Sequence, residues 1–280
     1  MPAVLAGGYF VARIIAVANQ KGGVGKTTTA INVAAALGIA EQRTLLIDID
    51  PQGNATSGAG IDKHALPLSI YHVLIGERTL PEVIRATAIP SLWVAPSNIN
   101  LIGAELELVN LPERETRLRE AIAPYRDGYD YIIIDCPPSL GLLTVNALTA
   151  AGSVLVPLQC EYYALEGLTE LLNTIGLIRS SFNAALQMEG ILLTMYTTRT
   201  NLTRQVEDEV RAHFPNEVFR TVIPRNVKLS EAPSFGQPVI LYDVRSKGAE
   251  AYLMLAEEII THDQKSTGAG AGSPHSPENA

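Results

Sequence analysis

A glycine-rich loop with two lysines carries the residue types best suited to phosphate chemistry. It spans residues 20–29 and contains Lys21, Gly22, Gly23, Val24, Gly25, Lys26, Thr27 and Thr28, all expected to bind a nucleotide. The glycines let backbone N–H groups approach phosphate oxygens because no Cβ intervenes. We expect Lys26 to reach the β- and γ-phosphates and the Thr27 hydroxyl to ligate Mg²⁺, as in ATP- or ADP-binding loops.

The flanking segments predict how this loop is held. Residues 13–19 are apolar and indicate a buried strand, whereas residues 26–40 have the pattern of a helix. A strand, a glycine turn and a helix N-terminus form a phosphate site. The loop departs from G-x-x-x-x-G-K-[ST], because Gln20 replaces the first glycine and Lys21 is an additional lysine. Lys21 either points towards a nucleotide held by a second subunit or is a solvated loop lysine.

Acidic residues follow two further apolar runs. Asp48 and Asp50 end the segment that begins at Arg43, and Asp135 follows four apolar residues. Carboxyl ends of strands are where ligands bind in open α/β sheets. We expect Asp48 and Asp135 to hold Mg²⁺ with Thr27, and the acids after the first run to polarise a water. The alternative for Asp48 and Asp50 is turn chemistry at a strand end.

Together these segments resemble the ParA/Soj partition ATPases, in the ParA/MinD branch of P-loop NTPases with a deviant Walker A motif. The resemblance covers about residues 13–262. Further matching stretches are residues 161–167, 194–196 and 222–234. It implies an ATPase that is slow without a partner. It also implies an ATP-sandwich homodimer that binds non-specific double-stranded DNA and a ParB-type centromere-binding protein that stimulates hydrolysis.

The same resemblance assigns roles to individual residues. It makes Lys21 the lysine that crosses the dimer, and Asp50 the residue that places the attacking water. Pro224 and Asn226 fall in the adenine-recognition loop. Arg199 and Lys228 match DNA-binding positions. Many relatives carry Arg at the position of Lys228; lysine keeps the charge but cannot donate two parallel hydrogen bonds to one phosphate as arginine does. Two segments are candidates for the dimer face, residues 137–141 and 161–167.

Composition and patterning predict one α/β domain. Apolar runs alternate with helical stretches, which favours a single-domain P-loop NTPase whose mostly parallel twisted sheet has helices on both faces. We expect a short extension over residues 1–12, the ATPase domain over residues 13–262 and a disordered Gly/Pro-rich tail over residues 263–280. No leader peptide or membrane span is visible, so we expect a cytoplasmic, nucleoid-associated protein.

DNA binding requires a local basic patch, because the net charge is −8. Basic residues cluster between Arg199 and Lys247, and this cluster also includes Arg225 and Lys228. Interspersed acids make a mixed solvated surface the alternative. No sequence-reading motif is visible, so we expect contacts to phosphates alone.

Two other functions are alternatives for a chain with this loop. A MinD-like, membrane-associated regulator of division-site placement is the main alternative, but the tail lacks a basic amphipathic helix. A metabolic ligase of the dethiobiotin synthetase kind would need a small-substrate pocket, for which no motif is present. The two cysteines, Cys136 and Cys160, lack the surroundings expected of an iron–sulfur site.

Overall fold

A twisted sheet forms the centre of the molecule. The computed structural model describes residues 12–161 and 164–268, without the side chains of residues 264–268. The strands described are β1 (Arg13–Val17), β2 (Thr44–Asp48), β3 (Arg85–Ala86), β4 (Leu92–Ala95), β5 (Tyr131–Asp135), β6 (Ser153–Gln159) and β7 (Gln187–Thr194). Their order is β3-β4-β2-β5-β1-β6-β7, and every pairing in it is parallel except β3 with β4.

Helices connect the strands and cover both faces. They are α1 (Lys26–Ile39), α2 (Asn54–Gly58), α3 (Ile70–Leu74), α4 (Leu80–Val83), α5 (Leu101–Leu108), α6 (Arg117–Ile122), α7 (Leu142–Ala150), α8 (Ala164–Ser181), α9 (Asn201–His213), α10 (Val227–Glu231), α11 (Val239–Tyr242) and α12 (Lys247–Gly268). Short 3₁₀ turns occupy Arg126–Gly128 and Ala232–Phe235. No described helix is both long and apolar enough to span a membrane.

Two cores lie on opposite faces because strand side chains alternate. In β5, Ile132 and Ile134 join the core beneath α3–α8, whereas Ile133 joins the core beneath α1 and α12. These central strands are buried on both faces, which explains their nearly continuous apolar sequences. Tyr252 of α12 is buried in the second core, where its hydroxyl lies 3.1 Å from that of Thr29 in α1.

The register of the central strands places the predicted acids together. Asp48 at the end of β2 pairs in register with Asp135 at the end of β5, which in turn pairs with Val17 of β1. The glycine loop begins just after β1, so both carboxylates lie beside it at one edge of the sheet. This is the edge at which parallel α/β sheets bind ligands.

The predicted fold class is confirmed, with differences at its margins. The antiparallel strand β3 was not predicted, because two residues carry no readable pattern. The final helix continues to Gly268, past the predicted domain end at residue 262. Residues 1–11 and 269–280 lie outside the described residues, so the extension and the disordered tail there stay predictions.

Candidate functional site

The glycine loop forms an open cradle at the start of α1. Gly23 and Gly25 adopt left-handed backbone with φ of 75° and 90°, and Gly25 is the N-cap of α1. A Cβ added at Gly22 or Gly23 would meet no described atom within 4 Å. Thr194, the last residue of β7, donates from its hydroxyl to the Val24 carbonyl at 2.8 Å. The cradle is therefore held by β7 through Thr194 and has open space at Gly22 and Gly23.

Lys26 lies beneath this cradle rather than in solvent. Its side chain is buried, and Nζ donates to the Lys21 carbonyl at 2.9 Å. Burial lowers the pKa of Lys26, and the charges of Asp135 and Asp50 oppose that shift. The ammonium is thus close to both predicted catalytic and metal-binding carboxylates.

Asp135 is a fully buried acid at the end of β5. Neither of its oxygens has a hydrogen-bond partner within the described part of the chain. Burial, followed by the charge of Asp48, raises the pKa of Asp135 well above its ordinary value, while the nearby Thr27 side chain opposes the shift. Unsatisfied buried carboxylates are costly, so this group fits a site that receives a cation.

Asp48 has a different environment from its neighbour. Its Oδ2 accepts hydrogen bonds from the backbone N–H and the hydroxyl of Thr56 at 2.8 and 2.7 Å, and Oδ1 accepts from the Asp50 N–H at 3.1 Å. Burial raises the pKa of Asp48 to about 6, and the Thr56 hydrogen bonds oppose that shift. Protein donors contact both oxygens, so the carboxylate shapes the loop after β2, and the role of Asp48 in holding Mg²⁺ stays a prediction.

The loop after β2 holds Asp50 at the same edge. Asp50 Oδ1 accepts from the Gln52 N–H at 2.9 Å, and its carbonyl accepts from the Ser97 hydroxyl at 2.8 Å. The Ser97 N–H in turn donates to the Thr56 hydroxyl at 2.8 Å. Asp50 therefore lies in a loop held by two buried hydroxyls, and the residue is only 8% exposed.

Lys21 lies at the mouth of the cradle. Its ammonium forms an ion pair with Glu161, Nζ to Oε2 at 2.6 Å, and both side chains are half-exposed. Glu161 follows β6 and begins one of the two segments predicted to form a dimer face. The pair forms within one subunit, so it tests neither of the two interpretations of Lys21.

The predicted adenine loop is connected to the phosphate cradle through β7. Tyr196, two residues beyond β7, forms a parallel bridge with Pro224. The Asn226 side chain caps α10 by accepting from the Lys228 N–H at 2.8 Å. Thr194, two residues before Tyr196, contacts the cradle, so the end of β7 links the cradle to the segment that contains Pro224 and Asn226.

The four basic residues predicted to bind DNA share one corner of the molecule. The Arg225 N–H donates to the carbonyl of Tyr196, which lies three residues before Arg199. Gly248, next to Lys247, packs against α10, the helix that contains Lys228. Arg199, Arg225 and Lys247 are exposed and have no side-chain ion pair with any described residue. Lys228 differs, because it pairs with Glu231 at 2.9 Å and lies 5.4 Å from the centroid of the Tyr242 ring.

Sequence reasoning missed the contacts by which four residues shape these sites. Thr56 and Ser97 brace the Asp50 loop, Glu161 holds Lys21, and Glu231 holds Lys228. The first two carry no readable signal, since an isolated Thr or Ser near a strand end is common. Glu231 lies three residues after Lys228 on a short helix, a spacing that favours an ion pair.

Comparison with known proteins identifies the family. Residues 12–188 match a family described as an AAA domain. The chain is 58% identical over 253 residues to the chromosome partitioning protein ParA of Myxococcus xanthus, which covers 90% of this chain and 89% of that protein. The chain belongs to the ParA/Soj family.

Two further comparisons agree with this family assignment. The chain is 57% identical to the sporulation initiation inhibitor protein Soj of Bacillus subtilis, over 89% of this chain and 99% of that one. A crystal structure from Mycobacterium smegmatis, named cobyrinic acid a,c-diamide synthase and containing ADP and magnesium, superposes with a TM-score of 0.81 at 39% identity, covering 91% and 96%. The partition names of the ParA/Soj relatives do not support the MinD-like alternative.

Proposed function

We propose that this ParA/Soj protein is an ATP-hydrolysing DNA-partition ATPase. One observation carries the proposal: the buried Asp135 carboxyl group, whose oxygens have no hydrogen-bond partner among the described residues, lies with Lys26 and Thr27 at an open glycine cradle. A cation and a polyphosphate supply what these groups lack. The high identity to ParA and Soj supports partition as the process that this chemistry serves.

The residues present fit ATP, ADP and Mg²⁺. We propose that Asp135 and the Thr27 hydroxyl hold the ion, which lowers the charge on the phosphates. No group of three or more His, Cys, Asp or Glu side chains gathers as a metal site in the described ranges. Mg²⁺ bound through few carboxylates together with phosphates and water is the usual arrangement. The neighbour from M. smegmatis with ADP and magnesium supports this choice.

The remaining polar residues have separate roles in hydrolysis. Lys26 neutralises the β- and γ-phosphates from beneath the cradle, and Asp50 orients the attacking water. Asp48 does not contact the ion in this proposal; it holds the Asp50 loop through Thr56. Lys21 from a second copy completes the site, by the role that trans cations play in related NTPases, where they contribute about 10³–10⁵-fold in rate.

DNA binding follows from the basic corner. We propose that Arg199, Arg225, Lys228 and Lys247 contact DNA phosphates without reading sequence. Face-to-face closure of two copies brings two such corners together and raises the number of phosphate contacts. ATP therefore controls DNA retention through the dimer, and a ParB-type protein triggers release by stimulating hydrolysis. The protein acts in the cytoplasm, on the nucleoid.

DNA retention under defined nucleotide conditions tests this function. We expect retention of unrelated duplexes with ATP and Mg²⁺, little with ADP or no nucleotide, and release when a ParB-type partner is added. Arg199→Ala should weaken retention. Arg220→Ala is the matched control, because Arg220 is also exposed and has no ion pair among the described residues. Arg220 lies away from the basic corner: the N–H of the preceding residue, Phe219, donates to the Ile191 carbonyl near the middle of β7. Equal retention in all nucleotide states would contradict the proposal.

A further inference from the structure

The ion pair between Lys21 and Glu161 lies within one subunit. Glu161 follows the carboxyl end of β6, and its Oε2 lies 2.6 Å from the Lys21 ammonium. Its backbone is held in a tight turn, with its N–H donating to the Gln159 carbonyl and its carbonyl accepting from the Ala164 N–H. The carboxylate is therefore presented at the mouth of the cradle by a fixed backbone.

The backbone of Lys21 is also fixed, so only its side chain is free to redirect the charge. Its N–H donates to Asn19 Oδ1 at 3.0 Å, and its carbonyl accepts from Lys26 Nζ at 2.9 Å. Asn19 is anchored in turn, because its Nδ2 donates to the Pro157 carbonyl in β6 at 2.8 Å. The Lys21 ammonium thus has a carboxylate partner in its own subunit before any second copy approaches.

We propose that Glu161 is a positioning residue that retains Lys21 in its own subunit and competes with the phosphates of the facing copy for the same ammonium. This inference rests on the proposed ATP-dependent dimer. A lysine cannot satisfy its own Glu161 and a phosphate across the interface equally well, since both are anions at a single ammonium. Closure of a symmetric dimer therefore breaks two ion pairs, one in each subunit.

The size of the effect follows from the exposure of the pair. Its side chains are 37% and 47% exposed, so water screens the attraction. Exposed pairs of this kind change an equilibrium constant by roughly 1.4- to 5-fold each. Removing both should therefore strengthen the dimer by roughly 2- to 30-fold, and salt should reduce the difference because it screens exposed charges.

The dimer equilibrium is the first measurement. Sedimentation with ATP and Mg²⁺ would compare the wild type, Glu161→Gln and Glu170→Gln. The last is the matched control, because Glu170 is exposed on α8, has no ion pair among the described residues, and loses the same charge. We expect Glu161→Gln alone to lower the dimer dissociation constant, with wild type and variant converging in about 0.5 M salt.

Lysine labelling in the nucleotide-free monomer is the second measurement. An ammonium held by a carboxylate reacts slowly with acetic anhydride, so Lys21 should be acetylated faster in Glu161→Gln than in wild type or Glu170→Gln. Lys247, exposed at the start of α12, serves as the internal reference. Mass spectrometry reads both sites in one digest.

The two measurements separate the inference from the proposed function. If the wild type fails to dimerise with ATP, the proposed function is wrong, and labelling still reports the ion pair. If Glu161→Gln dimerises no more tightly than Glu170→Gln, or Lys21 labelling is unchanged, competition by Glu161 is overturned. A weaker dimer in Glu161→Gln also overturns it, because Glu161 would then contribute to the interface.

Discussion

Thr56→Val removes one hydroxyl from the hydrogen-bond network that holds the Asp50 loop. In the wild type this buried hydroxyl donates to Asp48 at 2.7 Å and accepts from the Ser97 N–H at 2.8 Å. Valine nearly matches the shape of threonine, so the change removes hydrogen bonds with little loss of packing. The Thr56 backbone N–H still donates to Asp48, and the carboxylate keeps part of its support.

The expected loss of stability is large for a single hydroxyl. A hydrogen bond to a charged group contributes about 1.5–3 kcal/mol, and an orphaned buried N–H costs about 1–3 kcal/mol. Allowing for relaxation around Ser97, we expect the free energy of unfolding to fall by about 2–5 kcal/mol at neutral pH. Displacement of the Asp50 loop should also slow ATP hydrolysis.

The loss should depend on pH, because burial raises the pKa of Asp48 to about 6. A carboxyl whose folded pKa lies above its unfolded value contributes stability below that unfolded value, near 4, and loses the contribution as pH rises through about 6. The Thr56 hydroxyl opposes this shift by stabilising the carboxylate. Its removal raises the pKa of Asp48 further, so the variant should lose more stability at about pH 7.5 than at about pH 5.

Urea denaturation of wild type and variant at both pH values measures this difference. Thr169→Val is the control, since its exposed hydroxyl donates to the Leu165 carbonyl one turn earlier in α8. We expect it to change the free energy of unfolding by less than about 0.5 kcal/mol. A Thr56→Val loss below about 0.5 kcal/mol, or equal losses at the two pH values, would refute a structural role for the Asp48–Thr56 pair.

Four further substitutions separate nucleotide binding, closure, chemistry and DNA contact. Lys21→Ala should keep nucleotide binding, because Lys26 and the cradle remain, but lose the ATP dimer by light scattering; a normal dimer would contradict a trans role. Asp50→Ala should accumulate as an ATP dimer on DNA, and rapid hydrolysis in this variant would show that another residue orients the water. Gly22→Val should stay monomeric with ATP in size-exclusion chromatography while remaining folded, since an added Cβ there meets no described atom of its own chain; an ATP dimer would argue against close approach of a second copy. Arg199→Ala should reduce the magnitude of the slope of log K for DNA binding against log salt concentration by roughly 2 per dimer, whereas an unchanged slope would place the DNA surface elsewhere.

The sequence predicted the elements that present the chemistry, because those elements have strong local patterns. The run from Tyr131 to Asp135 is the observed strand β5, and the helix expected over residues 26–40 is observed as α1. Buried parallel strands read as continuous apolar segments, and a glycine loop between strand and helix is unambiguous. The meeting of Asp48 and Asp135 then followed from the shared edge of parallel strands.

The sequence could not distinguish the role of Asp48 from that of Asp135. Both acids end apolar strands. Thr56 and Ser97 belong to no motif, yet their positions show that Asp48 is hydrogen-bonded, whereas the Asp135 oxygens have no such partner among the described residues. The same limit applies to Glu161, which is 140 residues from Lys21 along the chain. Pairings across such separations depend on tertiary packing rather than local pattern.

Mixing two inactive variants tests most directly whether Lys21 acts on the nucleotide of a second copy. In a mixed dimer of Lys21→Ala and Asp50→Ala, the Lys21→Ala subunit keeps its own Asp50 and receives Lys21 from its partner. One of the two sites is then complete, so the mixture should recover ATPase activity that neither variant has alone, about a quarter of the wild-type activity where the subunits pair at random. If Lys21 acted within its own subunit, each site would lack one required residue, and the mixture would be as inactive as either variant alone.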